Sequence, residues 1–257
     1  SSAASDVYKR QVHYSTPAGY AINTSADNYP LFYAEIVHKN IADRHDFVLT
    51  PLPAPESDFT LVCIADPQCA TTAEISRYVN ETIPDVEATV DAYKAKGTPV
   101  YGITLGVIVF DTPDLWSNMK ESMANRNLPV FQTIGNHDHD RNKYTDREAT
   151  ENYRNHFGPT YYAFDMGRTH YIVLDDIVYH GAKKYDEQID SLQLAWAAEY
   201  ARRLPAGSRV CVAMHAPAMK AWKGNQVMES AARLMDAFAE GLGDYDKTHK
   251  VLILTTQ

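Results

Sequence analysis

From residue 59 onward, short apolar runs alternate with longer amphipathic stretches, and this alternation restricts the chain to a small group of folds. Phe59–Ala65, Leu128–Ile134, Arg209–Met214 and Val251–Leu254 read as strands, and Val100–Phe110 reads as a strand with its exit loop. Thr72–Lys96, Pro113–Asn125, Asp190–Leu204 and Gln226–Gly241 carry helical periodicity. Pro84 is expected to break the first of these, and Asp111 or Thr112 to cap the second. Tyr161–Asp165 and Thr169–Leu174 read as a hairpin through Met166-Gly167-Arg168. Strand–helix alternation with an added hairpin predicts an α/β fold with mixed sheets.

A length of 257 residues suits one large α/β domain with a small appendage. Residues 1–11 fit no element that follows and read as a non-native artefact. Residues 12–50, rich in Tyr, Val, Phe and Thr and containing an expected edge strand at Phe47–Thr50, read as the tail of a small β domain. Residues 51–58 form a Pro-rich linker, and residues 59–257 form the main domain. A formal net charge of −9 without a basic run argues against polyanion binding, so no nucleic-acid partner is predicted. A phosphate substrate would need a local source of positive charge, and bound metal ions are the obvious one. Cys63, Cys69 and Cys211 make no disulfide framework, and Cys63 and Cys211 read as packing residues within strands. No apolar stretch reaches the ~20 residues needed to span a bilayer, so no transmembrane segment is predicted.

Polar groups gather where the apolar runs end. The first run leads into Asp66-Pro67-Gln68, another into Gly135-Asn136-His137-Asp138-His139, and a later one into His215. Carboxylate, amide oxygen and imidazole are the ligand set of a hard or borderline dication, and strand ends are where α/β folds bind ligands. Each also has a plainer reading. Asp66 suits a turn before Pro67, Gly-Asn-His-Asp suits a turn, and His215 suits a satisfied strand-end histidine. Asp175 and Asp176 read as loop-capping acids, and His139 as a solvated loop residue or a substrate contact. The remaining histidines, His38 and His249 among them, read as structural or surface groups.

Taken in order, Asp66-x-Gln68, Gly135-Asn136-His137-Asp138 and His215 resemble motifs of the calcineurin-like metallophosphoesterases. That family's series is Asp-x-(His or Gln), Gly-Asp-x-x-(x)-Asp, Gly-Asn-His-(Asp/Glu), a strand-end His, and Gly-His-x-His. The likeness runs from about residue 59 to the end, and the stretch before it resembles the tail of the small β domain of a bacterial subgroup. The resemblance implies a four-layer α-β-β-α sandwich with two divalent metal ions (Mn, Fe or Zn) at the strand ends. It implies Asp66 on the first metal, with Gln68 as an amide ligand or hydrogen-bond partner, and Asn136 and His215 on the second. His137 would face the substrate as general acid or transition-state stabiliser, and Asp138 would orient it. A metal-bridging hydroxide would attack the phosphorus of a mono- or diester in line, the ester being a small molecule or a phosphorylated partner. Export to the periplasm is what the subgroup implies.

Two departures stand out. Val107 occupies the position expected to hold the bridging Asp, and Asp111 matches only the motif's other acid. Two dications ~4 Å apart repel by roughly 16 kcal/mol at an effective dielectric of 20, and an isopropyl group offsets none of it. The chain also stops at Gln257 after the run Val251–Leu254, without Gly-His-x-His, and so reads as a fragment. Little activity is therefore expected of the chain as it stands. The alternative is a non-catalytic phosphate-binding or interaction protein on the same scaffold. A zinc hydrolase of another bond is disfavoured, because His-Glu-x-x-His is absent.

Overall fold

The apolar runs of the first half of the chain build one sheet, and those of the second half build another. A computed structural model describes residues 10–36, 44–124, 126–205, 207–220, 223–242 and 250–256. Two short strands, β1 (Arg10–His13) and β2 (Tyr33–Ile36), pair antiparallel. There follow β3 (Thr60–Ile64), α1 (Thr72–Arg77), α2 (Ile83–Lys94), β4 (Val100–Thr104), α3 (Trp116–Met123) and β5 (Val130–Phe131). Strands β3, β4 and β5 form a parallel sheet in that order. After α4 (Asp146–Ala149) and α5 (Glu151–Phe157) come the hairpin β6 (Tyr162–Met166) and β7 (Thr169–Val173), then a second hairpin, β8 (Ile177–Gly181) and β9 (Lys184–Glu187). The chain continues through α6 (Ser191–Arg202), β10 (Arg209–Ala213), β11 (Met219–Lys220), β12 (Gln226–Val227), α7 (Glu229–Leu242) and β13 (Lys250–Leu254). The second sheet has the order β13-β10-β7-β6, with only β6 antiparallel. The fold is thus mixed α/β, as the alternation predicts.

Because successive strand residues point to opposite faces, each sheet packs on both sides. Ile103 and Phe131 of the first sheet meet Tyr162, Phe164, Val173 and Ala213 of the second in one buried cluster. The Phe131 and Phe164 rings stack there at 3.9 Å. On its other face the first sheet lays Ile64, Val100 and Val130 against Ile75, Val90, Trp116 and Met119 of its helices. The second sheet lays Ile172, Val210 and Val212 against Leu194, Ala197, Leu234 and Phe238 of α6 and α7.

Several elements differ from the sequence reading, each for a local reason. Pro84 sits in the first turn of α2, and the chain widens into a π turn at Tyr78–Thr82 just before it. Only Val130 and Phe131 of Leu128–Ile134 join the ladder. Beyond them the Gln132 N–H donates to Tyr162 Oη and the Thr133 N–H to Thr104 Oγ1, so side chains replace the neighbouring strand. Helix α3 opens through a 3-10 turn at Pro113–Leu115 with no side-chain cap from Thr112, and Asn125 lies outside the described residues. Gln226 and Val227 pair with β11, so the last helix begins at Glu229. Phe47–Thr50 forms no strand, and Val48 is exposed. Cys63 is likewise exposed rather than packed, whereas Cys211 is buried.

The segment before the linker enters the main core. Phe32 is 5% exposed, packs its ring tilted at 4.4 Å from that of Tyr162, and belongs to the cluster between the sheets. Asp165 N donates to Thr16 O at 2.8 Å, which ties the same segment to β6. Arg10 and Gln11 form part of β1, while residues 1–9, His38 and His249 lie outside the described residues. No helix among the described residues is long and apolar enough to cross a membrane. Phe32→Ala is expected to destabilise the protein by about 3–5 kcal/mol, the usual cost of emptying a buried aromatic site. An unchanged urea midpoint would mean that this segment stands apart from the core.

Candidate functional site

The exits of β3, β4, β5, β10 and β13 meet at one end of the two sheets. Asp66 N donates to Gly106 O at 3.2 Å and Gln68 N to Val107 O at 2.8 Å, so the loops after β3 and β4 run side by side. A Cβ at Gly106 would lie 2.7 Å from His215 Nδ1 and 2.9 Å from Gly135 Cα. One at Gly135 would lie 2.5 Å from Val107 N. Only glycine permits these approaches, and Gly106 also has a φ of +86°. Asp66, Gln68 and Asp111 are themselves left-handed, with φ of 44°, 49° and 57°. Such conformations cost free energy in a residue with a Cβ and are commonly stored where a loop must aim a side chain.

Asp138 holds this end together. Its buried carboxylate accepts from Ile108 N at 2.8 Å, Val109 N at 2.9 Å and Gly135 N at 2.8 Å. The expectation that Asp138 orients His137 is therefore corrected, since its oxygens face backbone donors. The acid beside His137 is Asp111, whose Oδ1 lies 3.0 Å from His137 Nδ1. The His137 ring stacks on Phe110 at 3.8 Å, and Arg141 Nη2 also lies 3.0 Å from Nδ1.

Asn136 and His215 come together in the buried floor. His215 Nδ1 lies 3.1 Å from both Leu105 O and Thr256 Oγ1, and the Thr256 hydroxyl is also 3.1 Å from Leu105 O. Burial lowers the His215 pKa and keeps the ring neutral. Its Nε2 lies 3.1 Å from Asn136 Oδ1. That Oδ1 also accepts from His137 N at 2.9 Å, while Asn136 Nδ2 donates to Tyr185 Oη at 2.8 Å. Donors bound at ~2.1 Å to one ion and at a right angle would be separated by about 3 Å, which is this spacing.

Asp66 sits at the edge, its Oδ1 accepting from Gln68 Nε2 at 3.2 Å. Gln68 uses its amide N–H in this contact, and both roles read for it from sequence stay open. Among the described residues no group of three His, Cys, Asp or Glu side chains is placed to hold an ion. Val107 is 1% exposed and puts an isopropyl group against Gly135 in this floor. The residues present fit one edge of a single-ion site and do not fit a two-ion centre.

The supporting groups are buried too. Asp176 Oδ1 accepts from His215 N at 3.1 Å, so this acid caps the His215 loop. His139 is buried, not solvated: Nδ1 donates to Gly135 O at 3.0 Å, and burial lowers its pKa to about 4. Burial raises Asp138 to about 7 and Asp176 to about 8, and raises Asp175 well above the carboxylate range. Asp66, Asn136, His137 and His215, read as site residues from sequence, all lie at this end; Arg141, Tyr185 and Phe110 were missed. Arg141 alone had a signal, being a cation close behind the Gly-Asn-His-Asp run in an acidic chain. No family model matches the chain, and none of the curated proteins matches it.

Asp138→Asn is expected to cost about 2–4 kcal/mol, because an amide N–H₂ would face backbone N–H groups that lose their acceptor. Asp111→Asn is expected to leave the urea midpoint nearly unchanged, since it serves only the partly exposed His137 and Arg141 side chains. A reversed order of the two would overturn the roles assigned here. Stability also carries a pH signature. The unfolded chain releases its Asp protons near 3.8 and the folded chain releases those of Asp138 and Asp176 near 7 and 8, so the folded state binds more protons in between. The lowered histidines oppose this only below their ordinary value of 6.5. The urea midpoint should fall as pH rises from about 6.5 to 8, and a rise would sink this account.

Proposed function

We propose that the chain carries the scaffold of a calcineurin-like metal-dependent phosphoesterase, in a form whose metal centre is incomplete. The observation behind this is the gathering of Asp66, Asn136, His137 and His215, from three distant segments, at one end of two sheets. The three buried clusters, helix on sheet, sheet on sheet and sheet on helix, support a four-layer α-β-β-α arrangement. The substrate class is a phosphate mono- or diester. His137, with no described partner on Nε2, is the group that gives a proton to the leaving oxygen. Asp111 and Phe110 fix its ring, and Asp138 anchors the loop that carries it. Asn136 and His215 hold the edge of one cation position. Since the residues present do not fit two ions, slow turnover at best is expected of this chain.

Val107 favours a second reading, a phosphate-binding protein without catalysis on the same scaffold. Val107→Asp separates the two. Without metal, an added buried carboxylate beside Asp66 and Asp138 should lower stability by on the order of 3 kcal/mol. Manganese or zinc should then raise the melting temperature of Val107→Asp far more than that of the parent, because the ion binds only the folded state. Under the first reading this variant also hydrolyses an aryl phosphate above a chelator blank. If neither metal affects its melting and no ester is cleaved, the phosphoesterase reading falls and the binding protein stands.

A further inference from the structure

A polar cleft adjoins the candidate site. It has a volume of about 760 Å³ and lies between the β8–β9 hairpin, the β11–β12 hairpin and the first turns of α7. That volume is in the range of small-molecule sites and far above an ordinary packing gap. Tyr185 is shared by cleft and site: it lines the cleft, and its hydroxyl accepts from Asn136 Nδ2 at 2.8 Å. Lys220 lines the cleft from β11, which opens just after His215. The walls are fastened to one another. Gln188 Oε1 accepts from Ser230 N at 3.2 Å and Ser230 Oγ from Ile189 N at 2.8 Å, so the exit of β9 is tied to α7. Lys220 pairs with Glu187, which ties β11 to β9. These cross-links hold the cleft in shape before anything enters it, and so lower the cost of binding.

The lining decides what the cleft holds. Its apolar surface comes from Val178, Ile189 and the Tyr185 ring, too little to cover an apolar group. Lys220 and Glu187 are 17% and 20% exposed at the side chain, so their charges are partly withdrawn from water yet reachable from the cleft. An ammonium has three N–H groups and a carboxylate two oxygens, so one mutual contact leaves both with capacity to spare. Arg233, exposed on α7, adds further N–H donors. A hydroxyl both donates and accepts, and a row of hydroxyls uses donors and acceptors set side by side. A second anionic group is disfavoured, because Asp186, Glu187, Asp190 and Glu229 outnumber Lys220 and Arg233. A lone cation fits less well than hydroxyls, since most of these acids are engaged. Asp190 accepts from Leu192 N and Gln193 N, Asp186 pairs with His180, and Glu187 pairs with Lys220.

We propose that this cleft is the subsite for the alcohol part of the ester, and that the Glu187–Lys220 pair with Arg233 selects a polyhydroxylated one. The substrate class is then a sugar or polyol phosphate. The inference rests on the phosphoesterase reading and deepens it by naming that class. Glu187, Lys220 and Arg233 determine specificity and touch none of the reacting atoms. The phosphate end of the substrate lies towards Asn136 and His137, and Tyr185 joins the two subsites. No bond is made or broken in the cleft, and binding there requires no metal.

The test uses the whole chain, labelled with ¹⁵N and treated with chelator, and reads binding from amide chemical shifts instead of turnover. Methyl glucoside is the probe, with choline and benzyl alcohol beside it as a cationic and an apolar alcohol. Methyl glucoside should move the signals of Tyr185, Glu187, Lys220 and Arg233 and bind more tightly than either alternative. Glucose 6-phosphate should move the same signals and those of Asn136 and His137 as well, which a sugar site separate from the candidate centre would not produce. Glu187→Gln should weaken methyl glucoside binding about tenfold, the scale of a lost hydrogen bond to a charged group. Arg233→Ala should weaken it at an unchanged urea midpoint, which a merely structural role would not do. Cleft signals indifferent to methyl glucoside, tighter binding of choline or benzyl alcohol, glucose 6-phosphate that leaves Asn136 and His137 unmoved, or parental affinity in Glu187→Gln each overturns the proposal. If Glu187→Gln does not fold, Arg233→Ala decides in its place, and parental affinity there overturns it. Metal recruited by Val107→Asp while the cleft ignores methyl glucoside would keep the phosphoesterase reading and end this inference. Methyl glucoside held in the cleft while Val107→Asp recruits no metal and cleaves no ester would do the reverse, leaving a sugar-binding subsite.

Discussion

The carboxylate of Asp138 is the interaction on which this end of the molecule depends. It is 2% exposed and is surrounded by three backbone N–H groups instead of a counter-ion. Those donors belong to two strand exits, Ile108 and Val109 after β4 and Gly135 after β5. Without the carboxylate, three buried donors would be left unpaired, each at about 1–3 kcal/mol. With it, Gly135 is pressed against Val107 and Asn136 is turned towards His215. The adjacent His137 then has only one way to point, outward over Phe110.

The close approach of the strand exits explains the cost and the use of Val107 together. Gly106 and Gly135 bring backbone, imidazole and amide within contact distance, so any side chain at position 107 is enclosed. Asp66 already raises the cost of ionising Asp138 there. A third carboxylate would add to that repulsion unless a cation came with it. Valine removes the conflict in the metal-free protein. It also removes the charge that would hold two cations together. Stability without metal and affinity for metal are therefore opposed at this single position.

Much of this was legible in the sequence, because period and position are local properties. The parallel strands, the β6–β7 hairpin and the gathering of polar groups at strand exits follow from apolar runs that end in Asp66, Gly135–Asp138 and His215. The β8–β9 hairpin was not legible. Its turn places Ala182 and Lys183 at φ of 52° and 63°, a conformation usually signalled by Asn-Gly, and here neither residue advertises it. Tyr185, which contacts Asn136, arrives on that hairpin and was missed with it. The roles of Asp111 and Asp138 were exchanged for a related reason. Adjacency in sequence suggested that Asp138 serves His137, but neighbouring side chains in a tight 3-10 turn diverge, and the contact comes from Asp111, 26 residues away.

Burial also decides which charges an approaching ligand meets. In the floor, Asp138 and Asp176 are pushed up to about 7 and 8, and His139 down to about 4, so desolvation holds these groups at or towards their neutral forms. The net charge of −9 repels anions at long range, but salt screens exposed charges beyond ~8–10 Å. What remains at short range is the exposed cluster of Asp111, His137 and Arg141, in which one carboxylate and one guanidinium nearly cancel.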